Sequence, residues 1–189
     1  MSANLVAIDF ETANECPSSA CALGIALIED NKIKTVKQWL IKPPEMRFLP
    51  FNSYLHKITE KDVEKKPEFY RIWPSVKKYL EGNIIIAHNA DFDMGVLRSV
   101  LRVYQLDLPE LSYFCTVALS RKVWKGFKNY KLNTIAAELD IEFNHHKAGE
   151  DAFVCASIAL RASEKLEILD FNEILKKMEM KICKFEDII

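Results

Sequence analysis

Apolar residues in the first forty positions come in short runs rather than at helical spacing. Residues 5–9 (LVAID) form one such run, ending in an acid, and residues 20–28 (ACALGIALI) form a longer one. Glu29-Asp30-Asn31 reads as a hairpin turn into residues 32–41 (KIKTVKQWLI). There Ile33, Thr35 and Lys37 alternate with Lys34, Val36 and Gln38, so the apolar face is imperfect and one edge of the sheet is expected to be wet. Pro43-Pro44 stops the sheet. In the mixed connection at 44–73, Thr59 and Asp62 have the spacing of a helix N-terminal cap, and Ile58 is placed to pack on Val63.

Helical periods dominate the remainder. Pro74 is read as the first-turn proline of a helix that Gly82 ends, and residues 83–88 (NIIIAH) are continuously apolar, as a central strand should be. Phe92, Val96, Leu97, Val100 and Leu101 predict a helix over 91–104 and place Phe92 in the core. YFCTVALSRKV reads as a strand running into a helix, followed by helices at 131–139 and 149–161. From 163 the chain becomes a charged amphipathic helical extension with Leu166, Leu169, Ile174, Leu175 and Met178 as its apolar face, either packed on the domain 1–162 or used for docking. Antiparallel strands followed by strand–helix alternation predict an α/β sandwich around a mixed sheet.

Composition narrows the function classes. A chain of 189 residues suits one domain, and 26 Lys+Arg against 27 Asp+Glu excludes a uniformly basic nucleic-acid binder. It does not exclude an enzyme with carboxylates inside its site and cations around it. The five cysteines are odd in number and none has CxxC spacing, so neither a disulfide framework nor a thiolate zinc site is expected. The first residues lack a basic stretch ahead of an apolar one, and no apolar run approaches membrane-span length. A cytoplasmic protein without a membrane partner is the expectation.

Three acidic groups stand at element boundaries. Asp9 and Glu11 end the first strand two residues apart, which puts both on one face, where they repel unless a cation lies between them. Asp91 and Asp93 follow His88-Asn89 after the central strand; Asp91 is read as a helix cap, which leaves Asp93 over. His146 precedes Asp151 on a loop entering a helix, beside His145. Each group read singly is ordinary: a solvated pair, a first-turn acid, exposed imidazoles.

In order along the chain, they resemble the motifs of the DnaQ-like exonucleases of the DEDDh type, the group of the bacterial DNA polymerase III epsilon subunit and ribonuclease T. Asp9-Phe10-Glu11-Thr12, His88-Asn89-Ala90-Asp91-Phe92-Asp93 and His146 to Asp151 match its three motifs, and Leu55-His56-Lys57-Ile58-Thr59 is similar to its substrate-side segment. Cys115-Thr116 departs from an Asp-Thr pair common in the family. The resemblance implies an RNase H-like fold with a central mixed five-stranded sheet flanked by helices. It implies two divalent cations, Mg2+ or Mn2+, held by Asp9, Glu11, Asp93 and Asp151, with His146 as general base. Phe10, Thr12, His56, Ile58, Asn89 and Phe92 would meet the terminal nucleotide, although Asn89 also suits tying the motif's own backbone.

Arg121, Lys125, Lys128 and Lys131, interleaved with Trp124, Phe127 and Tyr130, read equally as a single-strand track and as a solvated face with anchoring aromatics. Lys57, Lys61, Lys65 and Lys66 would form its other bank. The leading expectation is a 3′–5′ exonuclease on single-stranded DNA, with a DNA polymerase or replication complex as a candidate partner. Its alternatives are an exoribonuclease acting on RNA 3′ ends and a non-catalytic nucleic-acid-binding or docking protein of the same fold.

Overall fold

A computed structural model describes residues 4–187. The chain runs β1 (Leu5–Thr12), β2 (Ala20–Glu29), β3 (Lys32–Leu40), α1 (Pro50–His56), α2 (Glu60–Val63), α3 (Phe69–Leu80), β4 (Ile84–Ala87), α4 (Ala90–Val103), β5 (Ser112–Cys115), α5 (Thr116–Val123), α6 (Leu132–Glu138), α7 (Ala148–Leu166), α8 (Phe171–Lys177) and β6 (Cys183–Lys184). Among the described residues the sheet has six strands in the order β3-β2-β1-β4-β5-β6. β1, β4 and β5 are parallel, while β2, β3 and β6 run antiparallel to their neighbours. Asp30 and Asn31, both with positive φ (49° and 56°), make the tight turn between β2 and β3.

Alternation along β1 divides the core into two layers. Val6, Ile8 and Phe10 pack with Phe69, Trp73 and Val76 of α3 and Leu97 and Leu101 of α4. Leu5 and Ala7 point the other way, onto Cys155, Ala156 and Ala159 of α7, with Ile135 of α6 and Phe171 of α8 in the same cluster. The small residues of α7 let it lie close against the sheet, as their spacing suggests. Asp62 accepts hydrogen bonds from the Thr59 N–H (2.7 Å) and hydroxyl (2.6 Å), so the cap is formed, and Ile58 and Val63 share a buried cluster.

Several expectations need correction. The sheet has a sixth strand rather than five, because Tyr113 and Ser112 pair with Cys183 and Lys184 of the tail. α7 runs through residue 162 without a break, and Leu169 is 67% exposed rather than part of the tail's apolar face. Pro74 lies inside α3, not at its start: Phe69, Ile72, Trp73, Val76 and Leu80 form one buried stripe, and that burial outweighs the one backbone bond a proline removes. Asp91 does not cap α4; Asn89 occupies the cap position.

Candidate active site

The faces of β1 decide where its acids go. Asp9 and Glu11 continue the Leu5–Ala7 face and therefore meet α7, the element that carries Asp151. Gly24 stands opposite Asp9 in the β1–β2 register. A Cβ built on Gly24 would lie 1.8 Å from the Ala148 carbonyl oxygen and 2.6 Å from the Gly149 nitrogen. Only glycine lets the first turn of α7 sit on the sheet at this point. The Gly149 N–H donates to Gln38 Oε1 of β3 (2.9 Å), a second tie on the same turn. Ligand oxygens of Asp9, Glu11 and Asp151 consequently lie within 4.8 Å of one another. Asp93 comes from the opposite layer, at the start of α4, and is fixed by the Phe10 N–H, which donates to its Oδ1 (2.9 Å).

Crowding these carboxylates together raises their pKa values. Burial, then repulsion from Asp93, Asp151 and Glu11, pushes Asp9 well above the usual carboxylate range. Burial and Asp151 push Glu11 up to about 8. Asp93 rises to about 8, with burial outweighing the Phe10 hydrogen bond, and Asp151 to about 7, with burial outweighing the bond from the His146 N–H. Asp9 Oδ2 and Asp151 Oδ1 are shut off from solvent with no hydrogen-bond partner among the described residues. Orphaned buried carboxylate oxygens in an all-oxygen donor set fit a hard divalent cation.

His146 is held at positive φ (67°) by its N–H, which donates to Asp151 Oδ2 (2.9 Å). Its Nδ1 lies 3.8 Å from Glu11 Oε1, and its ring stacks on His145 with centroids 3.8 Å apart. Burial and the nearby Lys57 ammonium lower its pKa, so the ring is neutral at neutral pH. His145 is exposed and also lines the cavity. His88 plays another part. Its Nδ1 meets the Thr116 hydroxyl (2.9 Å) and its Nε2 the Tyr130 carbonyl (3.0 Å), and burial pushes its pKa down to about 4. It brackets β4, α5 and the loop before α6, which also accounts for Thr116.

An open cavity of about 690 Å3 joins these groups, and Phe10, Asn89 and Phe92 line it. Phe92 is 45% exposed, which corrects its assignment to the core: it lies in the first turn of α4, where the helix overhangs the cavity. Asn89 is exposed at φ 78°, and among the described residues its side chain makes no hydrogen bond that would tie the motif together. His56 and Ile58 are buried instead of lining the cavity. His56 Nδ1 accepts the Ile58 N–H (3.0 Å), so Nε2 carries the proton and donates to the Thr12 carbonyl (3.2 Å). Of the four basic residues on the expected track, Lys131 alone reaches the cavity wall. Trp124 is buried, Phe127 stacks on it (centroids 6.3 Å apart) and Tyr130 stacks on Phe127 (6.0 Å). Arg121 lies over Tyr130, and Lys125 donates to the Arg121 carbonyl (2.8 Å). Trp124 and Phe127 anchor the segment to the core, while the half-buried Tyr130 also lines the cavity.

The structure adds Gly24, Gln38, Val117 and Asn133 to the site, none of which the sequence reading reached. A lone glycine inside an otherwise apolar strand was the available signal for Gly24, since it marks a close backbone approach.

The RNase_T family model, described as an exonuclease, matches residues 6–159. The chain belongs to this exonuclease family. It is 28% identical over 191 residues to the PolC-type DNA polymerase III of Caldanaerobacter subterraneus subsp. tengcongensis, covering 95% of this chain and 13% of that protein. The 3′-5′ exonuclease DinG of Bacillus subtilis is 32% identical over 171 residues, 88% of this chain and 18% of that protein. The chain thus spans less than a fifth of the length of these relatives. Exonuclease X, solved with 5′-overhanging duplex DNA, superposes with a TM-score of 0.73 at 23% identity, covering 92% of this chain and 98% of that one. The nuclease domain of 3′hExo, a DEDDh family member solved with rAMP, gives a TM-score of 0.76 at 17% identity over 96% of both chains. The fold of this exonuclease domain is therefore the RNase H-like fold of the DEDDh group. Among the described residues no helix is long and apolar enough to cross a membrane.

Proposed function

We propose that the chain is a divalent-cation-dependent 3′–5′ exonuclease that hydrolyses single-stranded DNA from its 3′ end and releases nucleoside 5′-monophosphates. One observation carries the reading: carboxylates from β1 and α7, two of them with buried unpartnered oxygens, converge on one cavity beside a neutral histidine, with Asp93 of α4 close enough to raise the pKa of Asp9. Asp9, Glu11 and Asp151 would hold one cation, and Asp9 with Asp93 the second, with Mg2+ and Mn2+ as the candidates. Bound there, the cations supply the positive charge that acidifies the attacking water and offsets the charge on the leaving 3′ oxygen. His146 takes the proton from that water, a role its lowered pKa suits at neutral pH. The Asp151 bond to the His146 backbone sets the ring over the cavity, and the Phe10 N–H keeps Asp93 aimed inward.

The main chain at Phe10 and the side chains of Asn89 and Phe92 would receive the terminal nucleotide, with His56 and Ile58 supporting Thr12 from behind. Lys131 would meet a phosphate at the cavity wall. We extend the reading to a cytoplasmic setting and to a polymerase or replication complex as working partner, which the alignment with PolC-type polymerases supports.

The test uses 5′-labelled DNA and RNA strands with Mg2+, Mn2+ or chelator, comparing wild type with Asp9→Ala. The expected result is a DNA ladder shortening from the 3′ end that disappears in chelator and in the variant. Faster shortening of RNA would replace DNA by RNA as the substrate. Strand binding without cleavage in either cation would overturn the enzymatic reading.

A further inference from the structure

Two of the most exposed large apolar side chains among the described residues stand on one short helix. Phe51 is 68% and Tyr54 71% exposed, both on α1. The other side of this helix is pinned to the site: Asn52 Nδ2 (2.9 Å) and His56 Nε2 (3.2 Å) both donate to the Thr12 carbonyl, one residue beyond Glu11. With 3.6 residues per turn, Tyr54 points directly away from that tie, and Phe51 stands about 60° to one side of it. Lys57 ends the helix at positive φ, and its Nζ lies 4.2 Å from the Tyr54 ring centroid. It makes no ion pair among the described residues.

We propose that Phe51, Tyr54 and Lys57 form a shelf on which a base of the single strand stacks on its way into the cavity, with the Lys57 ammonium against the neighbouring phosphate. This rests on the exonuclease reading and deepens it by naming where the strand is held outside the reacting bond. Three features favour a strand over a protein as the occupant. Two aromatic rings offer far less surface than the roughly 800 Å2 per partner that a stable protein interface buries. An aromatic face beside an unpaired cation is the usual composition of a single-strand platform. The helix that carries the shelf is also tied, by its opposite face, to the catalytic end of β1 at Thr12. The aromatics between 121 and 131 present less open ring, since Trp124 is buried and Phe127 and Tyr130 are half-buried against the core.

The experiment compares wild type with a Phe51→Ala/Tyr54→Ala double variant on two probes: an eight-residue thymidine oligonucleotide and thymidine 5′-(p-nitrophenyl phosphate), which carries no second base. The quantity read is the ratio of kcat/KM on the oligonucleotide to kcat/KM on the ester. Stacking of one or two bases predicts a fall in this ratio of about tenfold or more, carried by KM. Phe51→Trp/Tyr54→Phe should restore it. An unchanged ratio in a wild type and variant that both cleave the two probes would overturn the shelf alone and leave the face to a protein partner. A wild type that cleaves neither probe with Mg2+ or Mn2+ would overturn the exonuclease reading and the shelf with it.

Discussion

His146 owes its state to burial, to the charge of Lys57, and to Asp151, which holds its backbone. Removing the imidazole in His146→Ala should lower kcat by about 10²–10⁴-fold, the usual contribution of a positioned base. Mn2+ affinity, read by calorimetric titration, should stay close to wild type because Asp9, Glu11 and Asp151 are untouched. A matching loss of Mn2+ binding would make His146 a ligand instead. Lys57 gives the sign of a second effect. Its charge depresses the histidine pKa, so Lys57→Gln lets that pKa rise, and the acid limb of the pH–rate profile at saturating Mg2+ should move to higher pH. The acids were legible only in sequence order, as three motifs resembling those of the family, because each group taken singly is ordinary at a strand or helix end. Phe92 and His56 were not. Phe92 has the period of a core residue but sits in the helical turn that overhangs the cavity, and His56 has a substrate-side motif but is consumed by bonds to Ile58 and Thr12.

β2 and α7 form the contact on which the site's geometry depends, and it rests on the absence of a side chain. Gly24→Ala places a methyl group inside the Ala148 carbonyl, so the first turn of α7 must lift off the sheet and carry Asp151 away from Asp9. The expected cost is about 1–3 kcal/mol of stability, in the range of overpacking, together with weaker cation binding. Gln38→Ala is the milder probe of the same joint: it leaves the Gly149 N–H without its acceptor, for about 1 kcal/mol, and should weaken cation binding less. Denaturant melts with and without Mg2+ separate the two effects, and a Gly24→Ala protein with unaltered Mg2+ stabilisation would refute the joint. Strands β1, β2 and β4 were readable from their apolar runs and helix α4 from its period, whereas α7 was read only to 161 and runs on to Leu166. β6 was not, since two residues, Cys183 and Lys184, carry no period, and their strand state comes wholly from pairing with Ser112 and Tyr113. The start of α3 was misplaced for a related reason: a proline rule of local sequence lost to a buried stripe that only the packed helix reveals.

Across the whole molecule, a net charge of -1 conceals four carboxylates gathered in one place. Without a cation the fold can hold them together only by keeping protons on them. Glu11 and Asp93 titrate near 8 and Asp151 near 7 in the folded chain, against about 4 in the unfolded one. Between those limits the native state binds more protons than the unfolded state, so stability falls as pH rises. His88 has the opposite sign: its folded pKa near 4 lies below the unfolded value, and its contribution is complete above about pH 6.5. Working above the histidines removes that opposing effect. The buried Cys21 and Cys155 thiols, also pushed up by burial, add to the same fall only at the top of the interval, where unfolded thiols ionise. In chelator, Tm should fall steadily from pH 6.5 to pH 9. Ten-millimolar Mg2+ should raise Tm at every pH and by most at pH 9, since the cation replaces the protons and binds only the folded site. Asp9→Asn removes the most crowded of the four charges, so its Tm in chelator should exceed that of wild type at pH 9 while its response to Mg2+ shrinks. A wild-type Tm that is flat or rising over that interval in chelator would mean that the four carboxylates are not gathered in solution as they are here, and the cation site proposed for them would fail with that result.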